Sequence, residues 1–377
     1  MRVYLDNAAT TPLDPAVFEV MAPMLLENFG NPSSIHSHGR EVKNIIEKAR
    51  KIVAGLLNAA PAEIFFTSGG TEADNTAIIN TIEAYGLKHA ITSPIEHHAV
   101  LHTLEHLAKI GIIELSILKL DAQGHIDLQH LEELLSTKPR SLVSLMHGNN
   151  EIGNLIDLQQ VSEICNAHQA FFHSDTVQTM GHYKHDLQTL PHTHFVVGAG
   201  HKFHGPKGVG FLYVNPKVKI SPFIHGGAQE RNRRGGTENV YGIVGIAKAL
   251  ELAYTQMDAH RSHVESLKSR MIEKLKLGIP DVAFNGDSEN LAKSLYTVLN
   301  VSLPTSGDND MLLFNLDIHK ISASGGSACS SGSEVGSHVL NALKVAPNRG
   351  NVRFSFSKYN TPEEIDYVVE KVAGLLG

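Results

Sequence analysis

Several short stretches of the chain combine residue types that could act together on a small molecule. Ala199-Gly200-His201-Lys202-Phe203-His204-Gly205-Pro206-Lys207-Gly208 places a lysine in a loop directly after the apolar run His194 to Val197. A lysine at the end of a parallel strand can reach the cleft where α/β proteins bind ligands. Partial desolvation there lowers its pKa and lets the amine form a Schiff base. Taken alone, Lys202 reads better as a surface lysine in a turn, and it is the neighbouring motifs that favour the chemical reading. Ser68-Gly69-Gly70-Thr71 turns from an apolar run into a helix. Its free N–H groups and the Thr71 hydroxyl would suit a phosphate, although a capped helix explains the same pattern. Asp175 follows the run Ala170 to His173 and could pair with a protonated ring nitrogen, or simply cap a helix. His97 follows Ala90-Ile91-Thr92 and could stack on an aromatic ring, or be an ordinary loop histidine.

Cys329 is a different case. It sits in the middle of 322–337, where seven residues are Ser and four are Gly. Such a stretch buries little and is expected to move. A thiol there suits delivery of a nucleophile, because it can be both exposed and thiolate-competent. The other cysteine, Cys165, falls in the helical pattern Val161, Ile164, Ala167 and is expected in the core.

These residues must be carried by a suitable scaffold. The 377 residues exceed one small domain, and 42% apolar with 19% charged content is ordinary for a soluble globular chain. A net charge of −7 without any Lys/Arg run gives no nucleic-acid surface. No apolar run approaches the ~18 residues of a membrane span. Met1-Arg2-Val3-Tyr4-Leu5-Asp6 turns polar at once, unlike a signal peptide. Two distant cysteines make no disulfide framework and fit a reducing cytoplasm. Among the 23 histidines, His98, His102 and His106 share a helix face. A solvated polar face explains them better than a metal stripe, because no carboxylate or thiolate completes a ligand set. No metal is expected.

Apolar strand-like runs alternate with amphipathic helical patterns from Ile64 to Val197, which argues for a mostly parallel sheet flanked by helices. Val209 to Val214 is expected to add an edge strand. A long helix is expected from Tyr241 to about Leu277, followed by shorter strands, Leu295 to Val301 and Val352 to Phe356, in a smaller α+β domain that begins inside that helix. Asp14-Pro15 and Thr361-Pro362 both read as an N-cap followed by proline at the first helical position.

The ordered set Thr71, His97, Asn150, Asp175, Gln178, His201-Lys202 closely resembles the cysteine desulfurases of the NifS/IscS type, in the class V aminotransferase family. The likeness runs nearly end to end. It begins at Tyr4-Leu5-Asp6-Asn7-Ala8-Ala9-Thr10-Thr11-Pro12 and continues through Thr67-Ser68-Gly69-Gly70-Thr71-Glu72-Ala73-Asp74-Asn75 and Asn149-Asn150-Glu151-Ile152-Gly153. It includes Gly226-Gly227-Ala228-Gln229-Glu230-Arg231 and Arg234-Gly235-Gly236-Thr237, and ends with Gly326-Ser327-Ala328-Cys329.

The resemblance implies the pyridoxal 5′-phosphate (PLP)-dependent transferase fold of type I. A large α/β domain (15–258) would carry a mostly parallel, seven-stranded sheet. A small α+β domain (1–14 and 259–377) would carry the Cys329 loop. It also implies roles. Lys202 would bind PLP covalently and shuttle protons, and His97 would stack on the ring. Asp175 would meet the ring nitrogen and Gln178 the phenolic oxygen. Gly70, Thr71 and His201 would hold the phosphate, with Thr237 lent by the partner of a homodimer. Asn150 would lie near the phenolate and the substrate carboxylate, which Arg353 would anchor; a guanidinium can grip a carboxylate bidentately. Ala199 stands where the family often has a phosphate-contacting serine, so one phosphate hydrogen bond is expected to be lost or taken by a backbone N–H.

The implied reaction converts L-cysteine to alanine and leaves the sulfur on Cys329 as a persulfide, for a sulfur acceptor or iron–sulfur scaffold protein. Selenocysteine lyase, or another reaction on the same scaffold, is the alternative. Cys329 argues against a plain aminotransferase, which has no use for a thiol there. A dehydrogenase would need a dinucleotide glycine fingerprint that Ser68-Gly69-Gly70-Thr71 lacks.

Overall fold

The computed structural model describes the chain apart from Pro139, 305–308, 326–335, Pro347 and Gly377, and apart from the side chains of 309 and 310. After a two-residue strand β1 (Val3–Tyr4), the helix Pro15–Leu26 starts as its sequence demands, with Asp14 accepting from the Ala16 N–H and Pro15 at the first helical position. Seven strands then build the main sheet: β2 (Ile64–Thr67), β3 (His89–Thr92), β4 (Glu114–Ile117), β5 (Leu142–Ser144), β6 (Phe171–Ser174), β7 (Phe195–Ala199) and β8 (Gly210–Val214). Their order is β2-β8-β7-β6-β5-β3-β4. All neighbouring pairs are parallel except those of β8, which runs antiparallel to both β2 and β7.

The expected edge strand Val209 to Val214 is therefore corrected. β8 is interior, β2 takes the edge, and all five residues of β8 are buried. Its unbroken run Gly-Phe-Leu-Tyr-Val carries no solvent-facing alternation, which is the pattern of a strand covered on both faces.

The long helix is also corrected. It breaks at Gln256 into Val240–Thr255 and Met257–Gly278. The first half packs with Pro15–Leu26 and Ser37–Leu56 against one face of the sheet, around Ile246, Leu250, Val53 and Phe211. The second half packs through Val264, Leu267 and Met271 onto a separate apolar cluster. That cluster includes β1, the strands β9 (Ala283–Phe284), β10 (Val298–Leu303), β11 (Ile321–Ser322) and β12 (Gly350–Ser355), and the helix Pro362–Gly374. The order β12-β10-β9 is antiparallel, and β1 pairs parallel with β11. Thr361 caps the last helix in a capping box with Glu364, and Pro362 sits at its start. Cys165 is fully buried beside Val161 and Phe172, and burial pushes its thiol pKa up. No helix among the described residues is long and apolar enough to cross a membrane.

One buried cation gives a stability prediction. Lys268 is fully buried and donates to Ser294 Oγ (2.9 Å) and Leu295 O (2.8 Å). Burial lowers its pKa from 10.5 to about 7, against the pull of Glu265. Between those values the unfolded chain holds the proton that the folded chain has lost, so stability rises with pH across that window and is flat below it. Lys268→Met is expected to remove a rise on the order of a few kcal/mol. Denaturant midpoints of both proteins from pH 7 to 10 would show this; parallel profiles would mean that Lys268 does not titrate there.

Candidate functional site

Because β2 and β3 to β7 all point the same way, the loops after them meet on one side of the sheet. β2 delivers Ser68-Gly69-Gly70-Thr71, β3 delivers Glu96 and His97, β5 delivers Met146 and Asn150, β6 delivers Asp175 and Gln178, and β7 delivers His201 and Lys202. A cavity of about 210 Å³ opens between them, lined by Gly70, Thr71, Asp74, His97, Asn150, Asp175, Gln178, Ala199, His201 and Lys202, with Ala9, Met146 and Val177. Eight of the sequence-predicted residues thus share one cavity.

Lys202 lies in a short 3-10 turn, Gly200–Lys202, at the end of β7. Its Nζ donates to Ala8 O (2.6 Å) and Ala9 O (3.0 Å). Gln178 Nε2 donates to the same Ala8 carbonyl (2.9 Å). The N-terminal segment therefore closes one side of the cavity with main-chain acceptors. Asp175 is buried, and its Oδ1 accepts from the Val177 N–H (2.9 Å). Burial pushes its pKa up, opposed by that hydrogen bond and by the Lys202 charge. His97 caps the helix His98–Lys109 by accepting from the Ala99 N–H. Burial, then the Lys202 charge, hold its imidazole down to about 4, so it is neutral at pH 7. His201 is held down to about 4 mainly by burial, with Nδ1 3.2 Å from Thr10 Oγ1.

The helix Gly70–Tyr85 begins without any side-chain cap, at Gly69 with φ 158°. Gly70 and Thr71 line the cavity and no side chain caps this helix start, the condition under which a helix N-terminus takes an anion. A Cβ on Gly70 would come within 2.8 Å of Val177 Cγ2, so a side chain there would require Val177 to shift. These residues fit PLP. The uncapped helix start with Thr71 and His201 suits its phosphate, a buried carboxylate suits its ring nitrogen, a neutral imidazole suits its ring face, and an amine suits its carbonyl. Ala199 is buried in the cavity wall and offers no hydroxyl.

Two acids were missed from sequence. Asp74, one turn beyond Gly70, lines the cavity and is 1% exposed. Its Oδ1 lies 3.3 Å from His173 Nε2, out of line for a hydrogen bond, and both atoms are left without a partner. Burial pushes its pKa well up, and the charges of Asp175 and Glu96 add to the rise. Glu96 is pushed up to about 8 by burial, against hydrogen bonds from Ser93 Oγ and the Met146 N–H. Burial thus raises the pKa of all three acids, and only Asp175 has the Lys202 charge and the Val177 N–H among the causes that lower it. Asp74 shares the helix face of Gly70, and Glu96 directly precedes His97; that adjacency was the only signal.

Three predicted residues lie elsewhere. Thr237 lines a different pocket with Ser68, Gly208 and Arg234. Its segment is pinned by Arg234, which pairs with Glu72 (2.9 and 3.1 Å), and by Glu230, whose carboxylate takes both Nη1 and Nη2 of Arg50 at 2.7 Å. Those contacts hold three successive residues, Glu230, Arg231 and Asn232, at φ 44°, 55° and 62°, a strained run that only over-determined surroundings maintain. Arg353 sits behind the cavity wall, 1% exposed, donating to Asp6 Oδ1 (2.9 Å) and Asn150 O (2.9 Å). Cys329 lies outside the described residues. Of the histidine stripe, His102 and His106 are exposed, while His98 stacks on His102 with centroids 4.4 Å apart and meets His338 at 3.1 Å.

Comparison with known proteins places these observations in a wider set. The family model for class-V aminotransferases matches residues 3–368. A curated cysteine desulfurase IscS from Dictyoglomus turgidum is 44% identical over 98% of this chain and 93% of its own length. Among solved structures, a NifS-like protein superposes with a TM-score of 0.91 at 37% identity, covering 100% of this chain and 99% of that one. The structure of SspA in complex with cysteine matches with a TM-score of 0.81 at 31% identity, over 96% of this chain and 100% of that one.

Proposed function

Because the chain belongs to the class-V aminotransferase family, whose cofactor is PLP, we infer that it is a cysteine desulfurase that converts L-cysteine to alanine and takes the sulfur onto Cys329. The observation that carries this reading is the cavity at the strand ends, where Lys202, His97, Asp175 and Gln178 converge in a chain that matches cysteine desulfurases along its length.

Bound PLP supplies an electron-withdrawing ring that eases loss of the substrate's α-proton and departure of its sulfur. Each remaining task falls to a side chain. Lys202 would hold the cofactor through its amine and serve as the base that accepts the α-proton and returns it. Asp175 would meet the ring nitrogen and favour its protonated form. His97, neutral at pH 7, packs on the ring and can relay a proton without adding charge. Gln178 and Asn150 orient the oxygen substituent, and Gly70, Thr71 and His201 hold the phosphate. Arg353 takes the substrate carboxylate. The Cys329 thiolate attacks the substrate sulfur: the new S–S bond forms as the carbon–sulfur bond breaks, and the carbon fragment gains protons to leave as alanine.

The same reading makes the protein a homodimer in the cytoplasm, with Thr237 serving the partner's phosphate site. It hands sulfur to an acceptor or iron–sulfur scaffold protein. It also divides the chain into 15–258 and 1–14 with 259–377. The direct test incubates purified, PLP-loaded protein with L-cysteine and a thiol reductant and quantifies alanine and sulfide together. Equal molar amounts are expected; alanine without sulfide, or neither product, would overturn the assignment.

A further inference from the structure

Arg353 is more elaborately held than a residue that only waits for a ligand. Asp6 Oδ1 accepts both Arg353 Nη2 (2.9 Å) and Ser324 Oγ (2.8 Å). Ser324 in turn pairs with Arg353 through the main chain in both directions, Arg353 N to Ser324 O at 2.6 Å and Ser324 N to Arg353 O at 3.2 Å. Nη1 is fixed on the Asn150 carbonyl, itself on the cavity wall. Arg353 Nε is buried with no partner. On another side stands Glu151, whose carboxylate feels the Arg353 charge and accepts from Ser337 Oγ at 2.5 Å. Its other oxygen, Oε1, is also buried without a partner. A buried guanidinium with an unused donor is costly unless something completes it.

We propose that Asp6 is a positioning residue which fixes the aim of Arg353 toward an α-carboxylate and, through Ser324, makes that carboxylate site one unit with β11 and β12. This rests on the reading that Arg353 anchors the substrate carboxylate. Asp6 occupies one Nη2 proton and the Asn150 carbonyl one Nη1 proton. The guanidinium plane is thereby fixed, and the remaining donors stay free for an incoming bidentate anion. Ser324 keeps the Asp6 carboxylate from turning away.

The test measures binding to the PLP-loaded enzyme by absorbance titration, with L-alanine and with ethylamine, the same amine lacking the carboxylate. The ratio of the two dissociation constants isolates the carboxylate. Asp6→Ala is expected to cut that ratio by about tenfold, the value of one charge-assisted hydrogen bond. Asp6→Asn, which keeps an acceptor oxygen, should restore part of it, and Ser324→Ala should cause a smaller loss in the same direction. If Asp6→Ala and Asp6→Asn weaken both ligands alike, or leave the ratio unchanged, the positioning role is overturned. Arg353→Ala separates the two levels. If it keeps the wild-type ratio, Arg353 is not the anchor and the underlying reading fails. If it abolishes the ratio while the Asp6 variants do not change it, only the role of Asp6 falls.

Discussion

Lys202→Ala is expected to lose the visible absorbance band of the covalently held cofactor and to slow alanine formation by at least about 10⁴-fold. Two independent losses combine in that figure. The amine whose Nζ lies among the carbonyls of Ala8 and Ala9 is the only lysine lining the cavity among the described residues. On the proposed reading, its loss removes both the covalent tether and the base that moves the α-proton. Lys202→Arg separates charge from chemistry. It can still donate to both carbonyls, so it should preserve fold and stability, but a guanidinium stays protonated and cannot make the tether. An unchanged band in Lys202→Ala, read by absorbance on the freshly purified protein, would move the attachment to another amine. Lys207, five residues further along the chain, would be the first to examine.

Cys329→Ser is expected to behave in the opposite way. The band should remain, because none of the residues assigned to the cofactor changes, while sulfide release should fall by roughly 10³-fold or more. A serine hydroxyl is a far weaker nucleophile toward sulfur at pH 7 than a thiol that is partly ionised there. The chain holds no reserve. Its other cysteine, Cys165, is fully buried against Val161 and Phe172, with its thiol pKa raised by burial. Product analysis with L-cysteine and reductant reads this directly. Wild-type sulfide release from the variant would mean that sulfur leaves without passing through Cys329.

What could be read from the sequence was whatever a local pattern encodes. Asp14-Pro15 and Thr361-Pro362 announced two helix starts because capping involves neighbours only. The strand-end positions of Thr71, His97, Asp175 and Lys202 followed from apolar runs ending in polar loops, and the cavity brings these residues together. The interior place of β8 was not legible in the same way. Its buried run marks a covered strand but does not say between which neighbours it lies, and its antiparallel insertion between β2 and β7 is a long-range choice. The break at Gln256 falls between two compatible helical patterns, and it is set by two different apolar clusters pulling on the two halves. Asp74 and Glu96 escaped notice because an acid beside a helix start or a loop histidine is ordinary in sequence. Only burial next to Asp175 makes them consequential. The Asp6–Arg353 pair spans almost the whole chain, and nothing local joins the two residues.

The interior position of β8 also bears on synthesis. β2 carries the turn Ser68-Gly69-Gly70-Thr71, and its one neighbour among the described residues is β8, which begins at Gly210. As a polypeptide emerges from the ribosome, residues 64–71 are made early and must wait for Val214 before their strand has a partner. The carbonyls of Ala8 and Ala9, which accept from Lys202, follow β1, and among the described residues β1 pairs with β11, at Ile321–Ser322. The first and the last parts of the message therefore meet beside one cavity. Non-local pairing of this kind is slow and leaves strand edges open while it is incomplete. A nascent chain released before residue 322 is expected to bring no covalent PLP with it, however well its central strands have formed.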